Sequence, residues 1–329
     1  MPKRHHITRA AVAAAFLALT ALVGPAAAQE AFPNRAIRVL VGFAPSGGTD
    51  VTTRAMAPRL SQALGVPIVV ENRPGGGGNL ATEVVARATP DGHTLLMGTI
   101  AALAVNPSLY SNLPVDPLTD LALVSLAVTT HDLLVVHPSS TIRSVSDLIE
   151  AAKRDPDGVV CGSSGVGTAG HLSCALFSLM TGTRLSHVPY RGGGALINDL
   201  VGGQTPLSFA SVSTVRQYVE TGALRGIATT DAHRSAVLPN VPTVAEGGVA
   251  GYESSNWYGL VAPARTPPAV VERLNAAMRE TLADPDIVRV LRAQGLDPAP
   301  TTPEAFAAFM RSETVKWGRV MRESGASVN

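Results

Sequence analysis

Two glycine-rich loops carry the residue types that hold a small anion. The first spans residues 45–50, and the second spans residues 163–171 and contains three glycines together with Ser, Thr and His. Each loop follows an apolar, β-prone run and leads into a helical pattern. Glycine allows close approach of the backbone, hydroxyl groups donate hydrogen bonds, and the free N–H groups at a helix start attract negative charge. The pattern therefore predicts a site for a small carboxylate that needs no cationic side chain.

A dinucleotide site is the main competing interpretation of the second loop. Residues 165–170 match G-x-G-x-x-G between a predicted strand and a predicted helix. That pattern also requires an acidic residue about twenty positions later, which binds the ribose, and residues 175–198 contain neither Asp nor Glu. The glycines at 75–78 lack the Gly-Lys-Ser/Thr ending of a phosphate loop. We therefore expect no cofactor.

The polar residues do not form a catalytic or metal-binding pattern. Ser46 and Ser164 lack the G-x-S-x-G context of a hydrolase nucleophile. His171 lies seven positions after Ser164, a spacing that suits orientation of the loop, and it is either a structural histidine or one that faces the ligand. No His or Cys spacing matches a zinc site. We expect neither catalysis nor a bound metal.

Alternating strands and helices must position these loops. Strands are predicted over residues 37–43, 67–70, 93–97, 123–136, 159–161, 185–188, 207–209, 224–228 and 257–261. Helices are predicted over residues 49–64, 79–88, 145–154, 169–180, 195–201, 267–282, 285–294 and 303–318. This alternation indicates an α/β fold with two lobes, each a mostly parallel sheet flanked by helices.

The long β-prone run over residues 123–136 marks the passage between the two lobes. We expect two interdomain crossovers, one in this run and one where the chain returns. Residues 29–128 and 252–329 would then form domain 1, and residues 129–251 would form domain 2. Ligands of open α/β sheets bind beyond the carboxyl ends of the strands, so both glycine-rich loops should face the cleft between the lobes.

The N-terminus predicts export. Residues 1–28 combine a basic start, an apolar stretch too short to span a membrane, and the small residues 26–28 of a cleavage site. Removing this signal peptide takes away Lys3, Arg4 and Arg9 and no acidic residue, so the formal net charge changes from +1 to −2. No basic run remains, and we expect no binding to nucleic acid or to an anionic membrane surface.

The sequence does not decide whether its two cysteines form a disulfide. Cys161 lies near the end of a predicted strand, and Cys174 lies about one and a half turns into the following helix. An exported chain can form a disulfide, but the spacing does not fix the distance between the two Cα atoms. Two buried free thiols are the favoured alternative.

Eight motifs, in order along the chain, carry a resemblance to a known family. They are residues 33–38 (PNRAIR), 43–50 (FAPSGGTD), 70–75 (VENRPG), 90–95 (PDGHTL), 106–110 (NPSLY), 163–168 (SSGVGT), 187–192 (HVPYRG) and 238–246 (LPNVPTVAE). From about Phe32 to the C-terminus, the chain resembles the substrate-binding receptors of tripartite tricarboxylate transporters, also called the Bug family. Several motifs at the right spacing are far more specific than any one of them.

The resemblance implies a fold and a function. The fold would be that of a two-lobed periplasmic binding protein that closes on its ligand. The protein would capture a small organic acid, such as a di- or tricarboxylate, and deliver it to membrane transporter subunits, and we expect it to act as a monomer. Two alternatives remain: a receptor that passes its signal to a sensor kinase, and an exported hydrolase, for which no activated nucleophile is visible.

The resemblance also implies the ligand-binding residues. The two loops would hold one carboxylate through N–H groups, hydroxyl groups and ordered water, and Thr99 would complete the contribution of the first lobe. Tyr190 is expected to form a wall of the site, and Arg191 is expected to be a charge at its rim. The expected ligand-binding residues are Pro45, Ser46, Gly47, Gly48, Thr49, Asp50, Thr99, Ser163, Ser164, Gly165, Thr168, Ala169, His171, Tyr190, Ala210 and Ser211.

One departure from the family pattern bears on the ligand. Many relatives carry Phe-Asp-Asn after a strand of the second lobe, where this chain has Phe209, Ala210 and Ser211. Loss of that acid removes a partner for a ligand ammonium group and a repulsive charge near a second carboxylate. The hypothesis at this point is that the protein prefers a carboxylate without an amino group.

Overall fold

The structure is a computed structural model that describes residues 32–156 and 158–324. The predicted signal peptide, residues 1–28, lies outside the described residues. Within the described ranges, no helix has both the length and the apolar character needed to cross a membrane.

The described residues form ten strands and ten α-helices. The strands are β1 (Ile37–Val41), β2 (Ile68–Asn72), β3 (Thr94–Thr99), β4 (Leu121–Val136), β5 (Val160–Ser163), β6 (Ser186–Pro189), β7 (Leu207–Ser211), β8 (Arg225–Thr229), β9 (Ser255–Pro263) and β10 (Leu296–Pro298). The helices are α1 (Gly48–Leu64), α2 (Asn79–Ala86), α3 (Asn106–Leu109), α4 (Val145–Arg154), α5 (Ala169–Thr181), α6 (Gly193–Val201), α7 (Val212–Glu220), α8 (Pro268–Ala283), α9 (Pro285–Arg292) and α10 (Pro303–Ser324). A π-helical turn (Ala101–Val105) precedes α3.

The first sheet forms from the apolar runs of the N-terminal third. β1 lies between β2 and β3, all three strands are parallel, and β9 pairs antiparallel with β3. Val39 packs in one cluster with side chains of α1 and α8, whereas Leu40 belongs to the cluster that includes side chains of α2 and α10. The sheet is therefore covered on both faces, which is why β1 is almost continuously apolar.

The second sheet repeats this arrangement and joins the first through β4. β5 lies between β6 and β7 in parallel pairing, and β7 and β8 pair antiparallel with β4. Residues 121–131 of β4 pair with β9, and residues 132–136 pair with β7. The same strand thus belongs to both sheets, at the place where the β-prone run predicted a passage between lobes.

Helix α10 contacts elements next to both sheets. It packs against α5, which follows β5 of the second sheet, and against the π-helical turn, which follows β3 of the first sheet. The indole N–H groups of Trp257 and Trp317 both donate to the carboxylate of Glu313, each at 2.9 Å. Glu313 is buried, and these two bonds give its carboxylate the partners that a buried polar group needs.

All the predicted strands and helices are present, with ends that differ by a few residues. Helix α4 has the predicted bounds. The sequence did not predict α3, α7, β10 or the π-helical turn. Helix α7 was missed because it begins with the residues Val-Ser-Thr-Val, which have low helix propensity, and because it follows β7 without a turn.

Cys161 and Cys174 form a disulfide, with their Cα atoms 6.6 Å apart. The favoured interpretation of two free thiols is therefore wrong. Helix α5 folds back along β5, so the second turn of the helix lies beside the strand, and a separation of 13 residues in sequence does not reveal this. The bridge encloses the second glycine-rich loop.

The disulfide should stabilise the fold by about 3 kcal/mol, the value typical of a closed loop of about 15 residues. The double variant Cys161→Ala/Cys174→Ala is expected to unfold at a lower urea concentration than the wild type. Wild type unfolded with a reductant should show a similar loss. Equal unfolding midpoints for oxidised and reduced wild type would show that the bridge does not stabilise the fold.

Candidate ligand-binding site

A cavity of about 200 Å³ lies beyond the strand ends of the two sheets. Its walls come from the segments that follow β1, β3, β5, β6 and β7, and from residues of β4 and β9. Pockets for drug-sized ligands usually enclose about 300–1,000 Å³, so this cavity suits a smaller molecule. Both halves of the chain contribute to it.

Three helices begin at the cavity. The first residues of α1, α5 and α6, namely Gly48, Ala169 and Gly193, line it. No side chain of the described residues caps these helices at Gly47, Thr168 or Gly192. First-turn N–H groups have no partner within their own helix, and the helix dipole adds positive potential at this end. The sequence predicted this role for α1 and α5 but not for α6.

The first glycine-rich loop is held by Asp50 from outside the cavity. The Asp50 carboxylate accepts hydrogen bonds from the backbone N–H of Ser46 at 2.9 Å, from Nε of Arg54 at 2.9 Å and from Nδ2 of Asn72 at 3.0 Å. Ser46 adopts a left-handed backbone conformation, with φ of 67°. Asp50 therefore fixes the turn that presents Gly47, and it does not itself line the cavity.

The second glycine-rich loop is held by two stacked imidazoles. The His171 ring lies 3.9 Å from the His187 ring, and its Nδ1 accepts a hydrogen bond from the N–H of Gly167 at 3.0 Å. Nε2 of His187 lies 2.6 Å from Oγ of Ser163, which donates to the carbonyl of Gly165 at 2.9 Å. Burial lowers the pKa of His171 to about 3 and that of His187 to about 4. Both rings are neutral supports for the loop.

The start of α5 lies close to the second sheet because residue 170 is a glycine. A Cβ atom at Gly170 would lie 2.3 Å from the carbonyl oxygen of Phe209 in β7. The last glycine of the G-x-G-x-x-G match therefore permits helix–strand packing. That packing sets the first turn of α5 against the cavity.

Arg191 lines the cavity, whereas its neighbour Tyr190 does not. The hydroxyl of Tyr190 donates to the Asp199 carboxylate at 2.8 Å and contacts Thr205. The expectation that Tyr190 forms a wall of the site is therefore wrong. Arg191 lines the cavity and is exposed to solvent, in agreement with a charge at the rim. The guanidinium can therefore attract an anion without having to be buried with it.

Asp132 of β4 is a site residue that sequence reasoning missed. It lines the cavity, is 2% exposed and pairs in register with Ser211 of β7. Its carboxylate receives one long hydrogen bond, from Oγ of Ser173 at 3.4 Å. Burial raises the pKa of Asp132 to about 7, although nearby His131 and the Ser173 hydroxyl act in the opposite direction. A charged residue inside an apolar β-run was the available signal, because such residues are rarely buried without a reason.

This acid changes the interpretation of Ala210 and Ser211. The hypothesis of an amine-free ligand rested on the loss of the family Asp, which would have been a partner for an ammonium group. Asp132 supplies another carboxylate from the neighbouring strand, so that loss no longer argues against an amino group on the ligand. The strand pairing could not be read from the sequence, since residues 132 and 211 are far apart along the chain.

Tyr258 and Asn256 of β9 complete the inner wall and were also not predicted. Burial raises the pKa of Tyr258 to about 12, so its phenol is neutral and can donate a hydrogen bond. Nδ2 of Asn256 lies 3.4 Å from the Tyr258 hydroxyl. β9 brings both side chains to the cavity because it runs antiparallel beside β3 and β4.

The structure brings most of the expected residues together at the cavity. Those that line it are Pro45, Gly47, Gly48, Thr49, Thr99, Ser164, Thr168, Ala169, Ala210 and Ser211. Those that do not line it are Ser46, Asp50, Ser163, Gly165, His171 and Tyr190. The members of the second group make hydrogen bonds within the loops or to groups behind them. No group of three or more metal-ligating side chains occurs in the described part of the chain.

Comparison with known proteins identifies the family. The family model described as "Tripartite tricarboxylate transporter family receptor" matches residues 52–326. The chain is 35% identical to Protein BugT of Bordetella pertussis (strain Tohama I), over 97% of this chain and 98% of that protein. The chain therefore belongs to the tripartite tricarboxylate transporter receptor family.

Two solved structures place the fold. The structure of R. palustris Rpa4515 with adipate matches with a TM-score of 0.86 and 34% identity, over 90% of this chain and 99% of that one. The structure of the periplasmic binding protein BugD matches with a TM-score of 0.84 and 30% identity, over 90% and 99%. The predicted fold is confirmed: this is a two-lobed α/β protein of the periplasmic-binding-protein type.

Replacing Asp132 by asparagine should stabilise the protein at alkaline pH. Because the folded-state pKa of Asp132 is raised, the native protein binds a proton that the unfolded chain has released. Wild-type stability therefore falls as pH rises from about 4 to about 7. The Asp132→Asn variant lacks this loss, so its advantage in unfolding free energy should grow between pH 4 and pH 8, by up to about 4 kcal/mol.

Urea unfolding at pH 4, 6 and 8 measures this difference. Asp231→Asn is the matched control, because a hydrogen bond from His131 lowers the pKa of Asp231 instead. That control should gain no stability with rising pH. A constant difference between Asp132→Asn and wild type across the three pH values would contradict the prediction.

Proposed function

We propose that this protein is a periplasmic receptor that captures a small organic carboxylate in the cavity between its lobes and delivers it to a tripartite tricarboxylate-type membrane transporter. The observation that carries the proposal is the meeting of three uncapped helix starts, those of α1, α5 and α6, at one cavity. Such starts bind anions through backbone N–H groups.

A carboxylate fits the donors of this cavity. Ser164 and Ser211, which carry hydroxyl groups, line it together with the helix starts. Neutral donors can hold an anion without the desolvation cost of a buried lysine or arginine. Arg191 stands at the rim, where it adds positive potential along the entry route.

Binding should be coupled to closure of the two lobes. Gly47, Gly48 and Thr99 reach the cavity from the first half, whereas Thr168 and Gly193 reach it from the second half. We assign residues 29–128 and 252–329 to one domain and residues 129–251 to the other. A ligand that contacts both domains favours the closed arrangement by the difference in its affinity for the two states.

The family supports the proposed setting of this function. Rpa4515, a relative of known structure, is described with adipate, a small dicarboxylate. The family name assigns its members to a membrane transport system. We infer that residues 1–28 direct export and are removed, and that the mature monomer works between the inner membrane and the exterior.

A thermal-shift screen of mature protein, residues 29–329, should identify a stabilising acid. The screen contains mono-, di- and tricarboxylates, amino acids and aromatic acids. A ligand at one hundred times its dissociation constant adds about 2.7 kcal/mol, which raises the unfolding midpoint of a chain this size by several degrees. The matching primary amides, which lack the anionic group, should give no shift.

Two outcomes of the thermal-shift screen decide whether the protein binds a carboxylate. A shift with one class of acid and none with its amide supports the proposal. The absence of any shift would overturn it if mass spectrometry of the denatured protein also finds no retained acid, because a cavity filled during purification would otherwise give the same result.

Enlarging Gly48 should weaken binding through Tyr258. A Cβ atom at Gly48 would lie 2.6 Å from the Tyr258 hydroxyl oxygen, so Gly48→Ala must displace that ring in the cavity wall. Affinity for the acid found in the screen should fall at least about ten-fold, an energy of about 1.4 kcal/mol. Because displacing this buried ring should also cost stability, the unfolding free energy is measured beside the affinity.

A double-mutant cycle tests the mechanism of this loss. In a Tyr258→Phe background the hydroxyl oxygen is absent, so adding Gly48→Ala should cost little further affinity. Calorimetric titration of wild type, both single variants and the double variant gives the coupling. Equal losses from Gly48→Ala in both backgrounds would show that Tyr258 does not mediate the effect.

A further inference from the structure

Asp132 is the cavity residue that carboxylate capture does not explain. Its side chain is almost fully buried, and the long bond from Ser173 to Oδ2 is its one side-chain hydrogen bond within the described residues. The backbone N–H and carbonyl of Asp132 are bonded to Thr230 and do not serve the carboxylate. A carboxylate buried with so few partners is unfavourable, and such groups are retained where they have a function.

The neighbours of Asp132 do not neutralise it. His131 is adjacent in β4, but its Nδ1 lies 3.3 Å from the carboxylate of Asp231. Tyr252 and Tyr258 face Asp132 with neutral phenols, because burial raises the pKa of both. α5 contributes Ser173, and β7 contributes Ser211 beside it; both carry hydroxyl groups. Apart from Asp132, Arg191 at the exposed rim is the charged side chain among the described residues that line the cavity.

The cavity therefore has two electrostatic regions. The starts of α1, α5 and α6 supply positive potential and N–H donors. Asp132 supplies a negative acceptor from β4, the strand shared by both sheets. A ligand that fills both regions needs an acidic group for the first and a donor for the second.

We propose that Asp132 selects carboxylates that carry a protonated amino group, by accepting a hydrogen bond from that group. This inference rests on the proposed function, because the acid end of the ligand is assigned to the helix starts. An ammonium group gives the buried carboxylate the charged partner that the protein itself does not supply. An unsubstituted diacid would instead place a second negative charge near Asp132, which disfavours its binding.

Two matched sets of acids test the selection: aspartate, malate and succinate, and glutamate, 2-hydroxyglutarate and glutarate. Each set varies the amino, hydroxyl and unsubstituted forms at constant chain length. In calorimetric titrations at pH 8, the amino form of at least one set should bind wild type about ten- to hundred-fold more tightly than its unsubstituted form, the range expected for a hydrogen bond to a charged group.

Substitution of Asp132 should remove this preference. The Asp132→Asn variant is expected to lose at least ten-fold in affinity for the amino form and to bind the unsubstituted form as well as, or better than, wild type. Asp231→Asn removes an acid that does not line the cavity, and it should leave the preference unchanged. A preference of wild type for succinate or glutarate, or for malate or 2-hydroxyglutarate, over the amino form overturns the inference and leaves the proposed function intact.

A measurement on wild type keeps the inference testable if the variant does not fold. At pH 6 the buried Asp132 is largely protonated, and an ammonium partner favours its ionised form. Binding of aspartate or glutamate should therefore release a proton, which titrations in two buffers of different ionisation enthalpy detect. Proton uptake, or no exchange, contradicts the inference. If none of the six acids binds and the wider screen also finds no acid, the proposed function fails and this inference fails with it.

Discussion

The backbone pairing of strand β4 is the constraint on which the rest of the structure depends. The strand satisfies its hydrogen bonds with β9 over its first part and with β7 and β8 over its second part. Two sheets are thereby fixed end to end, and the loops that follow their parallel strands face one another. The cavity, the helix starts and Asp132 owe their common location to this one strand.

The site separates the groups that face a ligand from the groups that hold the loops. Asp50 and the His171–His187 pair make their hydrogen bonds to the backbone and side chains of the loops themselves. The loops can then present bare N–H groups and small side chains to the cavity. Because the supporting imidazoles are neutral, they add no charge that would compete with an anion.

The sequence predicts well what depends on local pattern. Alternating strands and helices, the start of α1 to within one residue, and the start of α5 at Ala169 follow from apolar runs and glycines. It predicts poorly what depends on pairing between distant segments. Asp132 meets Ser211 across a strand pair, and Tyr258 reaches the cavity because β9 runs beside β3. Ser163 and His171 have the residue types of ligand contacts, yet their positions behind the loop emerge from tertiary packing.

The disulfide has a consequence for recognition as well as for the fold. Cys161 and Cys174 lie on either side of the second glycine-rich loop, so the loop is part of a closed covalent ring. Both ends of the loop are held before any ligand arrives, and less conformational freedom remains to be lost on binding. Formation of the disulfide is thus also a step in shaping the loop that lines the cavity, and this step requires an oxidising environment.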